Sequence, residues 1–306
     1  MHRGLAATLF EGDYVLGLGA LANSLWGHGF AGEIVAGYRG ELTRWAAGAR
    51  PAGDDRVFDA GDGRRVRFVR VDTDWHLTNR KPYFLRDVWS PESGPIFYFD
   101  PDIVVKARWS FFEEWVGYGI PMVADPVMSP MPPDHPYRMA WARWLASRGF
   151  EVVRYPADYY NGGFVGFGPD RGGDLLAWCR IHDGMAETVP MDRMGPVPRT
   201  DLFCMTDQDA MNMLAMVTPG PLSTMGPEGM DFRPGGTVMS HAAGGEKPWR
   251  KRFVRSALGG VPPTLADKGW LTHTRGPIEV LSPAEFGRKC REVRLASAIG
   301  RLVRRA

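Results

Sequence analysis

The stretch Ile96-Phe97-Tyr98-Phe99-Asp100-Pro101-Asp102-Ile103-Val104-Val105 limits the fold of this chain more than any other. Four consecutive apolar or aromatic residues before Asp100 read as a strand buried on both faces, the pattern of a central parallel sheet. Pro101 has no N–H to give to a ladder, so the strand stops there. Open α/β sheets bind ligands outside the carboxyl ends of their strands, which is where Asp100 and Asp102 then stand. Two acids one residue apart can converge on one cation. Taken alone, an Asp-x-Asp is far more often a solvated turn after a strand.

The flanking chain points to an α/β fold with a mixed, mainly parallel central sheet. Leu5 to Phe10 reads as a strand, Glu11-Gly12-Asp13 as a turn, and Tyr14 to about Trp26 as a helix whose stripe is Leu18, Leu21, Ala22 and Leu25. With a second strand over Glu33 to Tyr38, this predicts a parallel βαβ unit. Ala46 to Arg64, rich in Gly, Asp and Arg, reads as a loop, and Val66 to Val71 as a third, less buried strand. Leu77 opens a short helix to Val88 or Trp89, with Pro82 suited to its first turn. Ser110 and Glu113 predict a capping box for Phe111 to Val116. Pro121 to Ala124 reads as a strand, Asp125 to Pro136 as an active-site loop, and Tyr137 to Ser147 as a helix with Trp141 and Trp144 on one face. Tyr159 to Phe167 is a loop turning into a strand, Asp174 to His182 a helix, and 183–200 a loop. Asp207 to Met216 is helical, and Thr237 to Ser240 is a last strand. Ser282-Pro283-Ala284-Glu285 combines a capping box with proline at the first helical position, so a helix runs from 283 to about 304. Residues 1–281 are expected to form one domain, with 282–306 a basic helical appendage.

With 306 residues and 44% hydrophobic content, the chain can bury a full core. It has no run of eighteen apolar residues, and its first thirty lack the order of a signal peptide, which leads us to expect a cytoplasmic location. Cys179, Cys204 and Cys290 fit neither a disulfide framework nor a zinc site. The net charge of +2 argues against nucleic acid as a partner, yet residues 286–306 carry seven Arg or Lys and one Glu.

The second informative stretch is His241-Ala242-Ala243-Gly244-Gly245-Glu246-Lys247-Pro248-Trp249. It puts an imidazole and an ammonium on one glycine-rich turn after a strand. Gly244 and Gly245 allow close approach of backbone to a ligand, and Lys247 can neutralise phosphate charge. A lone histidine is more often a core or surface residue. Beside Asp100 and Asp102 it completes an oxygen-rich set that suits Mn²⁺ or Mg²⁺ and leaves positions for phosphate oxygens.

Four motifs in this order, Phe99-Asp100-Pro101-Asp102, Asn161-Gly162-Gly163, Asp207-Gln208-Asp209-Ala210-Met211-Asn212 and His241-x-x-Gly244-x-x-Lys247-Pro248-Trp249, resemble glycosyltransferase family 8. That family includes glycogenin and bacterial lipopolysaccharide glucosyl- and galactosyltransferases, and the likeness covers roughly residues 5–258. The resemblance implies a GT-A fold, Mn²⁺ held by Asp100, Asp102 and His241, and a UDP-sugar donor whose diphosphate meets Lys247 and the Gly244 turn. It implies Leu9 and Tyr14 near the base, Lys81 near the donor, and Asn161 and Gly163 along the sugar pocket. Asp207 and Gln208 would stand beside the anomeric carbon in a transfer that retains configuration. Phe10 and Glu11 depart from the small polar residues usual in the family, as does Gly162 from the usual Ser or Ala.

Each assignment has a plainer rival. Asn161 can cap a turn, Asp207 can favour a helix N-terminus, and Lys81 can be a solvated charge. The acceptor, a glycan or another hydroxyl compound, is not readable. A donor-binding protein without turnover and a sugar-phosphate nucleotidyltransferase are the alternative functions. The second needs a glycine-rich, Arg-containing phosphate loop that Glu11-Gly12-Asp13 does not offer. The C-terminal helix, 283–306, reads as either a helix packed on the domain or an attachment to an anionic membrane surface.

Overall fold

In the computed structural model, which describes residues 4–192 and 202–303, strand β1 (Leu5–Glu11), helix α1 (Val15–Gly27) and strand β2 (Glu33–Arg39) form the expected parallel unit. The helix departs from its expected single stripe, because every residue from Val15 to Trp26 is buried. Close packing on the polar side explains this: a Cβ on Gly17 would lie 2.3 Å from the carbonyl oxygen of Pro101. The helix therefore presses directly on the Asp-Pro-Asp turn.

The span expected to be a loop over 46–64 instead holds an antiparallel hairpin, β3 (Arg50–Ala52) and β4 (Asp55–Asp59), paired onward to β5 (Arg65–Arg70). Arg56 donates twice to the Ala49 carbonyl, and Trp45 and Phe58 meet edge to face at 5.1 Å. Helix α2 (Lys81–Val88) then leads to β6 (Ile96–Phe99), buried at all four positions, and β7 (Ile103–Val105) follows the Asp-Pro-Asp turn. Helix α3 (Trp109–Gly117) forms without the expected capping box; Glu113 instead accepts the indole N–H of Trp109 at 3.1 Å.

The remaining elements are β8 (Ile120–Val123), α4 (Pro136–Ser147), β9 (Phe164–Phe167), α5 (Gly172–Ala186), α6 (Thr206–Val217), β10 (Leu222–Met225), β11 (Met239–His241), α7 (Phe253–Leu258), α8 (Leu265–Thr272) and α9 (Pro283–Val303). The loop expected from 183 starts later, since α5 runs to Ala186, and residues 193–201 lie outside the described part. Strand β10, which pairs in parallel with β8, has no counterpart in the sequence reading.

The sheet order is β3-β4-β5-β2-β1-β6-β9. Strands β5, β2, β1 and β6 are parallel, while β3–β4, β4–β5 and β6–β9 pair antiparallel. Chain order reverses between β1 and β6, and in such sheets the ligand crevice opens at that switch point. Apolar clusters cover both faces of the sheet. The C-terminal helix α9 has its predicted capping box, with Ser282 N donating to Glu285 Oε2 at 3.0 Å. Its Val293 and Ala296 are buried, so the helix packs on the core.

Candidate active site

The site is assembled at the carboxyl end of β6 by two small pairings. Asp100 N donates to the Gly163 carbonyl at 2.7 Å, which closes β6 onto the segment leading into β9. The short antiparallel ladder of β7 with β11 sets His241 opposite Ile103, and Ala242 N donates to the Asp102 carbonyl at 3.0 Å. That register brings an imidazole from late in the chain beside the acidic pair.

One ligand atom each from Asp100, Asp102 and His241 lies within 4.8 Å of the others, close enough to share one ion. His241 Nε2 is 3.3 Å from Asp102 Oδ1 and 3.9 Å from Asp100 Oδ2. Gly163 makes room for this ring: a Cβ there would sit 2.5 Å from His241 Cε1. Its smallness serves the imidazole. Below the ladder, Lys106 pairs with Asp231 at 2.8 Å and donates to the Gly236 carbonyl, and Ser240 donates to the same carboxylate. These bonds brace the strand that carries His241.

Two lysines stand on either side of the acids. Lys247 donates to Asp102 Oδ2 at 2.6 Å and to the Ala242 carbonyl at 3.1 Å. Burial opposes the charged form of Asp102, but His241 and Lys247 outweigh it and hold the carboxyl below its ordinary range. Burial likewise opposes the charge of Lys247, and Asp102 reverses that and raises its pKa. Gly244 has φ +111° and open space around it, so the turn between His241 and Lys247 is unobstructed.

Lys81 differs. Its ammonium is 1% exposed and reaches Asp100 Oδ1 at 3.1 Å, Asp207 Oδ2 at 3.1 Å and the Gly162 carbonyl at 2.8 Å. An ammonium has three N–H donors, and all three are engaged within the protein. The residue ties the acidic pair to the helix that carries Asp207. Burial raises the pKa of Asp207, against the pull of Lys81.

The second and third motifs fold around a network of amides. Gln208 Oε1 accepts from Gly162 N at 2.8 Å, and Asn161 Oδ1 accepts from Gly163 N at 3.0 Å. Asn161 thus does cap a turn, as its plainer reading held, and it also contacts Asp125 through Nδ2 at 2.9 Å. Asp209, in the first turn of α6, accepts from Tyr159 and from the N–H groups of Cys204 and Met205. Burial pushes its pKa up to about 6.

Tyr14 flanks Lys247, whose Nζ lies 5.7 Å from the ring centroid, and meets Trp249 edge to face at 5.3 Å. Leu9 turns its side chain into the core, where its Cδ2 crowds Gly37, so only its main chain is left for a ligand. Beyond it, Glu11 accepts from Arg39 at 2.9 Å, at the ends of β1 and β2.

The sequence reading missed Asp125 as a site residue. A signal was present: Ala124-Asp125-Pro126 repeats, at the end of β8, the strand-Asp-Pro arrangement that ends β6. Tyr98, which donates to Asp100 at 3.0 Å, was hidden among the apolar residues of its strand.

No family model and no curated protein matches the chain. Solved structures do. The apo structure of WbbM, a bifunctional glycosyltransferase, matches with a TM-score of 0.58 at 13% identity, over 94% of this chain and 51% of that one. The galactosyltransferase LgtC, solved with donor and acceptor sugar analogs, matches with a TM-score of 0.52 at 15% identity, over 93% of this chain and 99% of that one. The fold is GT-A. The glycosyltransferase GlyE of Streptococcus pneumoniae TIGR4 also matches, with a TM-score of 0.50 at 11% identity, over 95% of this chain and 64% of that one. The chain therefore spans about half the length of the WbbM chain and under two thirds of the GlyE chain. Identities this low speak for the GT-A fold alone. Among the described residues, no helix is long and apolar enough to cross a membrane.

Proposed function

We propose that this protein is a metal-dependent, retaining glycosyltransferase of the family 8 type, moving a hexose, glucose or galactose first, from a UDP-sugar to a hydroxyl acceptor such as a glycan. The observation that carries this reading is the convergence of Asp100, Asp102 and His241 within 4.8 Å at the switch point of a GT-A sheet, with Lys247 paired to Asp102. Two carboxylates and one imidazole are a donor set that fits Mn²⁺ or Mg²⁺. Held there, the cation would supply charge neutralisation to a departing diphosphate.

The chain's own groups do the rest. Lys247 offers a second positive charge to the diphosphate. Departure of the leaving group puts positive charge on the sugar ring, and Asp207 with the amide of Gln208 stabilises it. Asp207 Oδ2 is already engaged by Lys81 at 3.1 Å, which favours a stabilising role over attack and hence front-face transfer without a covalent intermediate. Tyr14 and the main chain of Leu9 border the space for the base.

The test is Mn²⁺-dependent release of UDP from UDP-glucose and UDP-galactose, with Asp102→Ala as control. Binding of donor without release, in the presence of candidate acceptors, would favour a donor-binding protein instead. Mass spectrometry that trapped a glycosylated Asp207 would overturn the front-face route.

We also propose a cytoplasmic location, a domain boundary near 281, and peripheral membrane contact through 283–306. On the outer face of α9, Arg288, Arg291, Arg294 and Arg301 are exposed together with Leu295 and Leu302. Basic residues near an anionic surface contribute about 1 kcal/mol each. Deletion of 283–306 should abolish co-sedimentation with phosphatidylglycerol vesicles; unchanged co-sedimentation would remove the membrane contact.

A further inference from the structure

Asp125 has no place in the metal set, yet it is buried and each of its carboxylate oxygens is used twice. Oδ1 accepts from Val127 N at 2.9 Å and from Met128 N at 3.1 Å. Oδ2 accepts from Asn161 Nδ2 at 2.9 Å and from Gln208 Nε2 at 3.3 Å. The other ends of both amides face main-chain donors, Gly163 N and Gly162 N. A carboxylate can only accept and a peptide N–H can only donate. Between them they leave each amide one orientation, because a flipped amide would set oxygen against oxygen and N–H against N–H.

Resting on the reading of Gln208 as a group beside the sugar, we infer that Asp125 is a positioning residue that fixes which end of the Asn161 and Gln208 amides meets the donor sugar. It acts at a distance from the transferred group, by holding both amide nitrogens toward β8 while the two glycine N–H groups hold both oxygens toward β9. The two main-chain bonds to Val127 and Met128 keep the carboxylate from rotating away.

The chemistry supplies a sharp test, since Asp125→Asn keeps the shape and reverses one end. If the new side chain keeps its oxygen on Val127 and Met128, its NH₂ faces the two amide nitrogens, donor against donor. If it turns over, the same conflict moves to the two main-chain N–H groups. Either way two hydrogen bonds are lost, and the melting temperature should fall by about 5 °C. The double variant Asp125→Asn/Gln208→Glu should recover at least half of that loss. A carboxylate at 208 accepts from both the new NH₂ and Gly162 N. In wild-type protein the side-chain NH₂ resonances of Asn161 and Gln208, assigned through Asn161→Asp and Gln208→Glu, should shift together in Asp125→Asn while most main-chain resonances stay in place. A double variant that melts no higher than Asp125→Asn, or NH₂ resonances that do not move, overturns the inference. Should Asp125→Asn not fold, recovery of folded protein by Gln208→Glu supports it and no recovery overturns it. With UDP-galactose and Mn²⁺, kcat should fall at least tenfold with KM for the donor within threefold. A wild-type protein that releases no UDP would sink the transferase reading while the melting and resonance results still decide the role of Asp125.

Discussion

Lys81 and Lys247 make an instructive pair. Both are buried lysines bonded to one member of the acidic pair, yet their surroundings give them opposite character. Lys81 spends all three donors on Asp100, Asp207 and Gly162, under a cover of packed side chains. Lys247 has two partners, on a turn whose glycines leave open space beside it. Residue type alone does not separate a fully engaged ammonium from one with a donor to spare; the count of satisfied donors and the freedom of the adjoining backbone do.

The sharpest way to break this comparison is to remove each ammonium in turn. Lys81→Met leaves two carboxylates facing each other without their shared partner, and loss of one side of a buried ion pair costs about 3–5 kcal/mol. Urea unfolding should register that, and Lys247→Met should cost less than half as much, because His241 still faces Asp102. UDP release should show the loss at Lys247 even at saturating donor, with protein that remains folded. Equal destabilisation by the two substitutions would erase the distinction.

A smaller effect tests how sealed the Lys81 side is. His182 is fully buried with neither ring nitrogen hydrogen-bonded, and burial, with Lys81 and Arg80 adding to it, pushes its pKa down to about 3. Unfolded, the ring takes up a proton near pH 6.5, so its neutral form contributes stability above that pH that is lost as pH falls toward 3. His182→Leu should therefore narrow the stability difference between pH 8 and pH 5 by about 2 kcal/mol. An unchanged pH profile in denaturant melts would mean water reaches the imidazole and that this side is as open as the other.

The smallest effect belongs to the open side. Gly163→Ala puts a methyl where His241 Cε1 must be, so the ring has to shift. Mn²⁺ affinity, read by electron paramagnetic resonance, should drop about tenfold, in line with what displaced supporting groups cost metal sites. Undiminished affinity would show that the ring has another place to go.

How much of this was legible beforehand follows from where each signal lives. Strands β1, β2 and β6 announce themselves because burial on both faces demands unbroken apolar runs. Hairpin β3–β4 does not, since its Arg50-Pro51-Ala52 and Asp55-Arg56-Val57-Phe58-Asp59 lie at the sheet edge, half in water and without alternation. At the site, Asp100, Asp102 and His241 were readable from charge types at strand ends, and they do converge. Lys81 and Asp125 were not readable in their observed roles. A buried charge is indistinguishable from a solvated one until its partners, here just before β9 and on α6, are known to be neighbours. The direction of the Leu9 side chain, into the core, was not readable either, because the period-two alternation that decides direction is masked in a strand buried on both sides.

The three-residue ladder of β7 with β11 has an implication for how the molecule comes into being. Of the four groups proposed to grip a diphosphate and its ion, the two carboxylates come at residues 100 and 102, while the imidazole and the ammonium arrive with residues 241 and 247, after every strand of the main sheet has been made. A nascent chain can thus close its α/β layers while still unable to hold a cation. The proposed donor site would then be completed late, by the last of the described strands in chain order.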